Sequence, residues 1–270
     1  MYINGALNLI DGCKSTLWNP RKISAYDIFD QTNADYVITH ISSVNTDIIS
    51  YMKENPKLNL IINITGSNQD GINFLENIFD DEKINCPLLF NNQHNKLTTK
   101  KTNLMYLAYS ADVFLNRKQK LKYNINKGIV VNKPHDKEYN GTYHTISNDP
   151  KLDKHVDIVL PVAQLSTIYN NYDEIIFTDI DDNLPQTFYD SVYSGCKTLV
   201  DIQDVGKIQN IKKILKTEQN LCDTNLDHTE IRNNVIKKHT CLHRVKSLLS
   251  QLPCKNNEIE KIDTLLEKIA

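Results

Sequence analysis

Short runs of β-branched and aliphatic residues recur along this chain. Each ends at a polar or turn-forming residue, and most are followed by a stretch with helical spacing. Strand and helix in alternation produce βαβ units and a parallel sheet, because parallel strands need a crossover that is usually a helix. In the first half, residues 35–40, 58–64 and 86–90 read as strands. Residues 45–55 read as a helix stopped before Pro56, and residues 68–80 as a helix with Ile72, Leu75, Ile78 and Phe79 on one face. Residues 101–110 are expected to be helical, and 112–115 and 128–131 to be strands.

The second half repeats the style. Residues 156–160 form a strand stopped by Pro161, 163–170 a helix, Asp173 a turn and 174–177 a strand. Pro185 suits a helix start through its fixed φ, and Gly195 suits the stop, so 185–194 is predicted helical, with a strand at 197–200. In the tail, Ile231, Val235, Leu242, Val245, Leu249 and Leu252 make an amphipathic stripe, and a second helix covers 258–269. The expected fold class is α/β, two Rossmann-like parallel-sheet halves with C-terminal helices. The expected division is 1–124, 125–227 and a tail, 228–270, packing across both; 270 residues exceed one small core.

Composition narrows the function. The 31 Lys+Arg against 33 Asp+Glu give a net charge of −2, unlike a protein held to nucleic acid by bulk charge, while leaving room for a local basic groove. No run of about 18 apolar residues occurs, and the N-terminus lacks a basic start with an apolar run, so neither a membrane span nor a secretory signal is expected. The six cysteines form no C-x-x-C pair, which fits reduced thiols and a cytoplasmic location, or a host's cytoplasm for a viral protein. The 32 Asn, with abundant Lys and Ile, reflect AT-rich codons of a microbe or virus. No G-x-G-x-x-G, P-loop or G-x-S-x-G motif occurs, which removes the main support for dinucleotide oxidoreductases, P-loop enzymes and serine hydrolases.

In open parallel sheets ligands bind beyond the carboxyl ends of the strands, so the residues there are the site candidates. The segment 156–201 holds Leu165, Tyr169 and Asp173 before a strand, then an acidic loop, then Asp190-Ser-Val-Tyr-Ser-Gly195, with Asp182 and Asp190 eight apart. This pattern resembles the donor-binding half of GT-B nucleotide-sugar glycosyltransferases, which carry two acids at that spacing. The tail from Lys238 to Leu249 resembles the spore-maturation and phage-type branch. Here Asp replaces Glu at both acids, and residues 132–155 are short for a complete donor domain.

The resemblance implies a glycosyltransferase acting on a UDP- or GDP-sugar, with no cofactor required. Asp182 would accept hydrogen bonds from sugar hydroxyls and Asp190 from the ribose diol. Backbone N–H groups at Asn183, Leu184, Gln186 and Thr187, beside Pro185, would hold the diphosphate. Lys133 and His135 would neutralise it, and Pro161 and Val162 would pack the base. Lower-ranked polar candidates are His144, Ser147 and Asn148. His40 and His94, at strand ends in the first half, are the candidate acceptor bases. Asp179-Ile-Asp181 is a D-x-D that divalent Mn²⁺ or Mg²⁺ would favour, kept as the minor alternative. His239 and His243, four apart, read as a surface helix rather than half a metal site. The acceptor is a surface glycan, a protein or a modified DNA base, the last being the one route to a nucleic-acid partner. The alternative is a non-catalytic nucleotide-sugar- or glycan-binding or assembly protein on a degenerate fold.

Overall fold

The computed structural model describes residues 2–19, 22–92, 97–111, 125–131, 143–147, 158–159, 172–178, 180, 184–221, 227–252 and 256–269. The chain forms two compact units. One comprises residues 1–108 with 244–263, the other 109–243 with 264–270.

The first unit opens with helices α1 (Tyr2–Asn8) and α2 (Ala25–Thr32), then strand β1 (Tyr36–His40), α3 (Thr46–Glu54), β2 (Asn59–Asn63), α4 (Gln69–Asp81), β3 (Leu88–Asn91) and β4 (Asn103–Tyr106). All neighbouring strands pair in parallel, in the spatial order β1-β2-β3-β4. Leu60, Ile61 and Ile62 of β2 are all fully buried. Consecutive side chains point to opposite faces, so both faces of that strand are covered, as a parallel sheet requires. Ile48 and Met52 of α3 and Ile72, Leu75 and Phe79 of α4 pack with Leu60, Ile62 and Leu89. Each such side chain contributes about 1.5–3 kcal/mol by leaving water.

Helix starts follow the expected chemistry. Ser24, Asn45 and Asn68 cap α2, α3 and α4, each side-chain oxygen accepting a backbone N–H of the first turn. The expected helix over 101–110 is instead strand β4, in register with β3 from Leu88↔Asn103 to Asn91↔Tyr106. The physical reason lies in α4. The Glu76 carboxylate, only 6% exposed, accepts the N–H groups of Lys100 and Lys101 at 3.0 Å and Thr102 at 3.2 Å. Gln69 holds Thr98 through both its backbone groups. Those bonds pin residues 98–102 against α4, and from Asn103 the backbone pairs with β3 in place of coiling.

The second unit holds β5 (Ile125–Val131), β6 (Tyr143–Ser147), β7 (Ile158–Val159), β8 (Tyr172–Phe177), α5 (Gln186–Ser194), β9 (Lys197–Val200), α6 (Val205–Leu215) and α7 (His228–Lys238). Its sheet is also parallel, in the order β7-β6-β5-β8-β9. Asp173, expected as a turn, lies inside β8. The core gathers Ile175, Phe177 and Val200 from the strands, Phe188, Tyr189 and Val192 from α5, and Ile211, Leu215, Ile231 and Val235 from α6 and α7. The α/β class with two parallel sheets is therefore as expected. The anticipated strand at 112–115 and helix at 163–170 lie outside the described residues.

The tail stripe is not one continuous helix. It is divided between α7 and α8 (Cys241–Leu249), followed by α9 (Asn256–Ile269). Ala111 forms a parallel bridge to Thr240: its N–H donates to the His239 carbonyl at 2.7 Å, and its carbonyl accepts the Cys241 N–H at 2.8 Å. A backbone that pairs sideways there cannot continue the helical ladder. Among the described residues, no helix is long and apolar enough to cross a membrane.

Candidate functional site

In the second unit the strand order reverses. From β5 the chain adds β6 and β7 on one side, then crosses to add β8 and β9 on the other. In open parallel sheets, ligands bind beyond the carboxyl ends of the strands at such a reversal point. Val131 of β5 pairs with Phe177 of β8, which pairs with Val200 of β9, so these ends are level. The loop after β8 and the start of α5 therefore emerge at the switch point.

Apolar anchors fix that loop. Ile180 and Leu184 are buried at 1% and 2% exposure. Phe188 packs on Phe177 with ring centroids 5.4 Å apart, seating the first turn of α5 on the end of β8. Pro185 is the N-cap residue and makes no side-chain capping bond. The first-turn N–H groups of Gln186 and Thr187 thus have no Asn, Asp or Ser oxygen from the cap position, while the Phe188 N–H turns back to the Pro185 carbonyl at 3.0 Å. Gln186 and Thr187 are partly exposed, and Gln186 Nε2 donates to the Ser110 carbonyl at 3.4 Å. Gly195 ends the helix in the left-handed region, φ 84°, its N–H closing on the Ser191 and Val192 carbonyls.

Downstream of Thr187 the helix is buried on all sides, and Asp190 is only 4% exposed. Neighbouring residues hold the helix rigidly. Ser194 Oγ donates to the Asp190 carbonyl at 2.7 Å, Ser191 Oγ lies 3.0 Å from Thr198 Oγ1, and Arg232 Nε donates to the Tyr193 carbonyl at 3.1 Å. Tyr189 stacks on His239, with centroids 5.3 Å apart and planes at 26°.

His239 is therefore not on a continuous surface helix with His243. His239 caps α7 and lies 3.2 Å from the Ile214 carbonyl, and His243 Nδ1 lies 2.8 Å from Thr240 Oγ1. Among the described residues, no three of His, Cys, Asp and Glu gather to hold a metal ion. Of the remaining candidates, Asp179, Asp181, Asp182, Asn183, Lys133, His135, Pro161, Val162, His94 and Asn148 lie outside the described residues.

In the first unit, His40 ends β1. Its Nδ1 accepts the Ser42 N–H at 3.2 Å, and its Nε2 lies 3.1 Å from the Thr65 carbonyl. A carbonyl only accepts, so Nε2 carries the proton and both ring nitrogens are engaged. Sequence reading did not single out the side chains beside it. Asn63 Oδ1 accepts the Thr65 N–H at 2.9 Å, and the Thr65 hydroxyl lies 2.6 Å from Asn63 Oδ1 and 2.9 Å from Asn92 Oδ1. Asn92 Nδ2 reaches the Leu107 carbonyl at 2.5 Å. This knot ties the carboxyl ends of β1, β2 and β3 to the segment after β4. The signal available in the sequence was position, since each residue follows its strand's last apolar residue.

No protein-family profile matches the chain, and no curated protein sequence matches it. Among solved structures, it is similar to CalG4, the calicheamicin glycosyltransferase, at 8% identity and a TM-score of 0.32, over 91% of this chain and 79% of that one. It is also similar to a chain of the GtfA/B complex at 12% identity and a TM-score of 0.38, over 88% of this chain and 55% of that one. Likenesses at this level do not bear on activity.

Proposed function

We propose that the chain is a glycosyltransferase whose second unit binds a UDP- or GDP-sugar at the start of α5. The observation that carries this reading is the uncapped N-terminus of α5 at the reversal point of a parallel sheet. A diphosphate is a dianion, and first-turn N–H groups that the cap residue does not take, with the positive end of a helix dipole, suit it. In this reading Gln186 and Thr187 supply N–H groups, and Asn183 and Leu184 add theirs from the loop. Pro185 presets the turn. Lys133 and His135, after β5, neutralise the remaining charge, while Pro161 and Val162 pack the base and Asp182 meets the sugar. The transition state gains from stabilising the departing diphosphate. His40 or His94 deprotonates the acceptor hydroxyl, and a surface glycan, a protein or a modified DNA base is the acceptor.

A second reading is supported by two observations. Asp190 is 4% exposed, which leaves little room for a ribose diol, and both nitrogens of His40 are engaged. A non-catalytic nucleotide-sugar-binding or assembly protein fits both.

A thermal-shift panel of nucleotides and nucleotide-sugars tests the donor site, with donor hydrolysis followed in parallel. UDP or GDP should raise the melting temperature, and Asp182→Ala should reduce that shift. Binding with neither sugar transfer nor donor hydrolysis selects the second reading. Unchanged melting with every nucleotide counts against a donor site in either reading.

A further inference from the structure

Among the described residues, β9 is an outer strand of the second sheet, so one row of its backbone groups faces no neighbouring strand. On its inner side, the Asp201 N–H just past the strand donates to the Phe177 carbonyl of β8 at 2.8 Å. Backbone groups alternate along a strand, so the N–H groups of Thr198 and Val200 point outward. Two different acceptors cover them. The Val200 N–H donates to the Leu221 carbonyl at 3.0 Å. The Thr198 N–H donates to Nδ1 of His228, in the first turn of α7, at 3.4 Å.

A carbonyl accepts at any pH. An imidazole nitrogen accepts only while it carries no proton, so the ring proton of His228 sits on Nε2, an atom buried without a hydrogen-bond partner. A second proton would go to Nδ1 and set one N–H against another. The charged groups around the ring are Lys197 of β9, Glu174 of β8 and Asp227 at the start of α7. Lys197 and Glu174 pair with each other at 3.0 Å. Further along α7, Glu230 accepts from Gln219 and Arg232 Nε donates to the Tyr193 carbonyl, while α5, packed on α7, carries Asp190.

We propose that His228 is an acid-sensitive latch on the open edge of the second sheet: uncharged, it accepts the Thr198 N–H and holds the start of α7 to β9; protonated, it lets that amide go. Desolvation, then the Lys197 charge, hold the His228 pKa below the ordinary 6.5, against the opposing pull of Glu174 and Asp227. The unfolded chain therefore takes up the proton more readily than the folded one. The latch contributes fully above 6.5, and its contribution is lost as pH falls through the folded value. An edge amide set free is a template for another strand, so acid exposes this sheet to pairing. The latch does not involve the start of α5, and it stands whether or not the second unit binds a nucleotide-sugar.

The test is amide hydrogen exchange of the full chain, read residue by residue by NMR and corrected for intrinsic rates. Val200 is the internal control, because its acceptor does not titrate. Between about pH 7.5 and about pH 5, protection of the Thr198 amide should fall roughly tenfold relative to Val200. His228→Asn places a side-chain oxygen near the position of Nδ1 and should keep Thr198 protected at both pH values. His228→Leu should leave Thr198 exchanging fast at both. The proposal is overturned if Thr198 and Val200 lose protection together in the parent, if Thr198 is indifferent to pH, or if the acid loss persists in His228→Asn.

Discussion

The two parallel sheets differ in how they treat their carboxyl ends. In the first unit the described strands follow in sequential order, and the polar side chains beyond them bond to one another. In the second unit the order reverses at β5 and β8. The helix caps set one helix of the second unit apart from the rest. Helices α2, α3, α4, α6 and α7 begin at Ser24, Asn45, Asn68, Asp204 and Asp227, whose side chains accept first-turn N–H groups. Helix α5 begins at Pro185, which cannot. A side chain that satisfies a helix start stabilises the fold and closes the site to an anion. The lesson is that a helix start at a strand reversal is the one place where this cap chemistry is replaced by a proline among the described helices with an assigned cap.

The largest effect expected from breaking this contrast comes from the cores. Phe188→Ala should destabilise by about 3–5 kcal/mol in denaturant melts and erase any nucleotide-induced shift, because Phe188 seats α5. Ile62→Ala should cost about 2–5 kcal/mol and leave that shift intact. Loss of the shift in both would mean that the two cores do not act separately.

Next comes Glu76. Burial alone would raise its pKa, but the backbone N–H groups of Lys100, Lys101 and Thr102 outweigh it and hold the carboxyl below the usual range. A lowered folded pKa contributes stability above the unfolded value of 4.5, lost as pH falls through the folded value. Glu76→Gln should therefore destabilise by about 1.5–3 kcal/mol at pH 7. The gap from the parent should narrow as pH falls below 4.5, measured by urea melts across pH.

Caps give smaller effects. Asn68→Ala should cost about 1 kcal/mol, whereas Pro185→Ala should stay within about 0.5 kcal/mol, because no capping bond is lost. Pro185→Asp sharpens the test. It should stabilise by about 1 kcal/mol while weakening nucleotide binding, since its carboxylate takes the same N–H groups. Tighter nucleotide binding in Pro185→Asp would count against the donor site.

Most of the sheet architecture was legible because buried parallel strands need β-branched runs, as in Leu60-Ile61-Ile62. The stretch before Ser110 misled because Leu104, Leu107 and Ala108 carry helical spacing, while its shape comes from pairing with β3, some fifteen positions earlier. The break at Thr240 likewise comes from Ala111, far away in sequence. Within the candidate site, Pro185 and Gly195 announced the ends of α5. Spacing along a helix says nothing of what covers each face, so the burial of Asp190 was not readable. Asn63 and Asn92 were hidden among 32 asparagines.

The chain leaves the first unit after Ala108 and rejoins it at Arg244, where Arg244 Nε donates to the Ala108 carbonyl at 2.8 Å. During synthesis on the ribosome, the segment from Arg244 emerges more than a hundred residues after the body it completes. A nascent first unit must wait, with Ala108 and its neighbours unsealed, while the intervening polypeptide is made. That interval is when a chaperone has most to bind, and a premature stop before Arg244 would harm the front of the protein as much as the back.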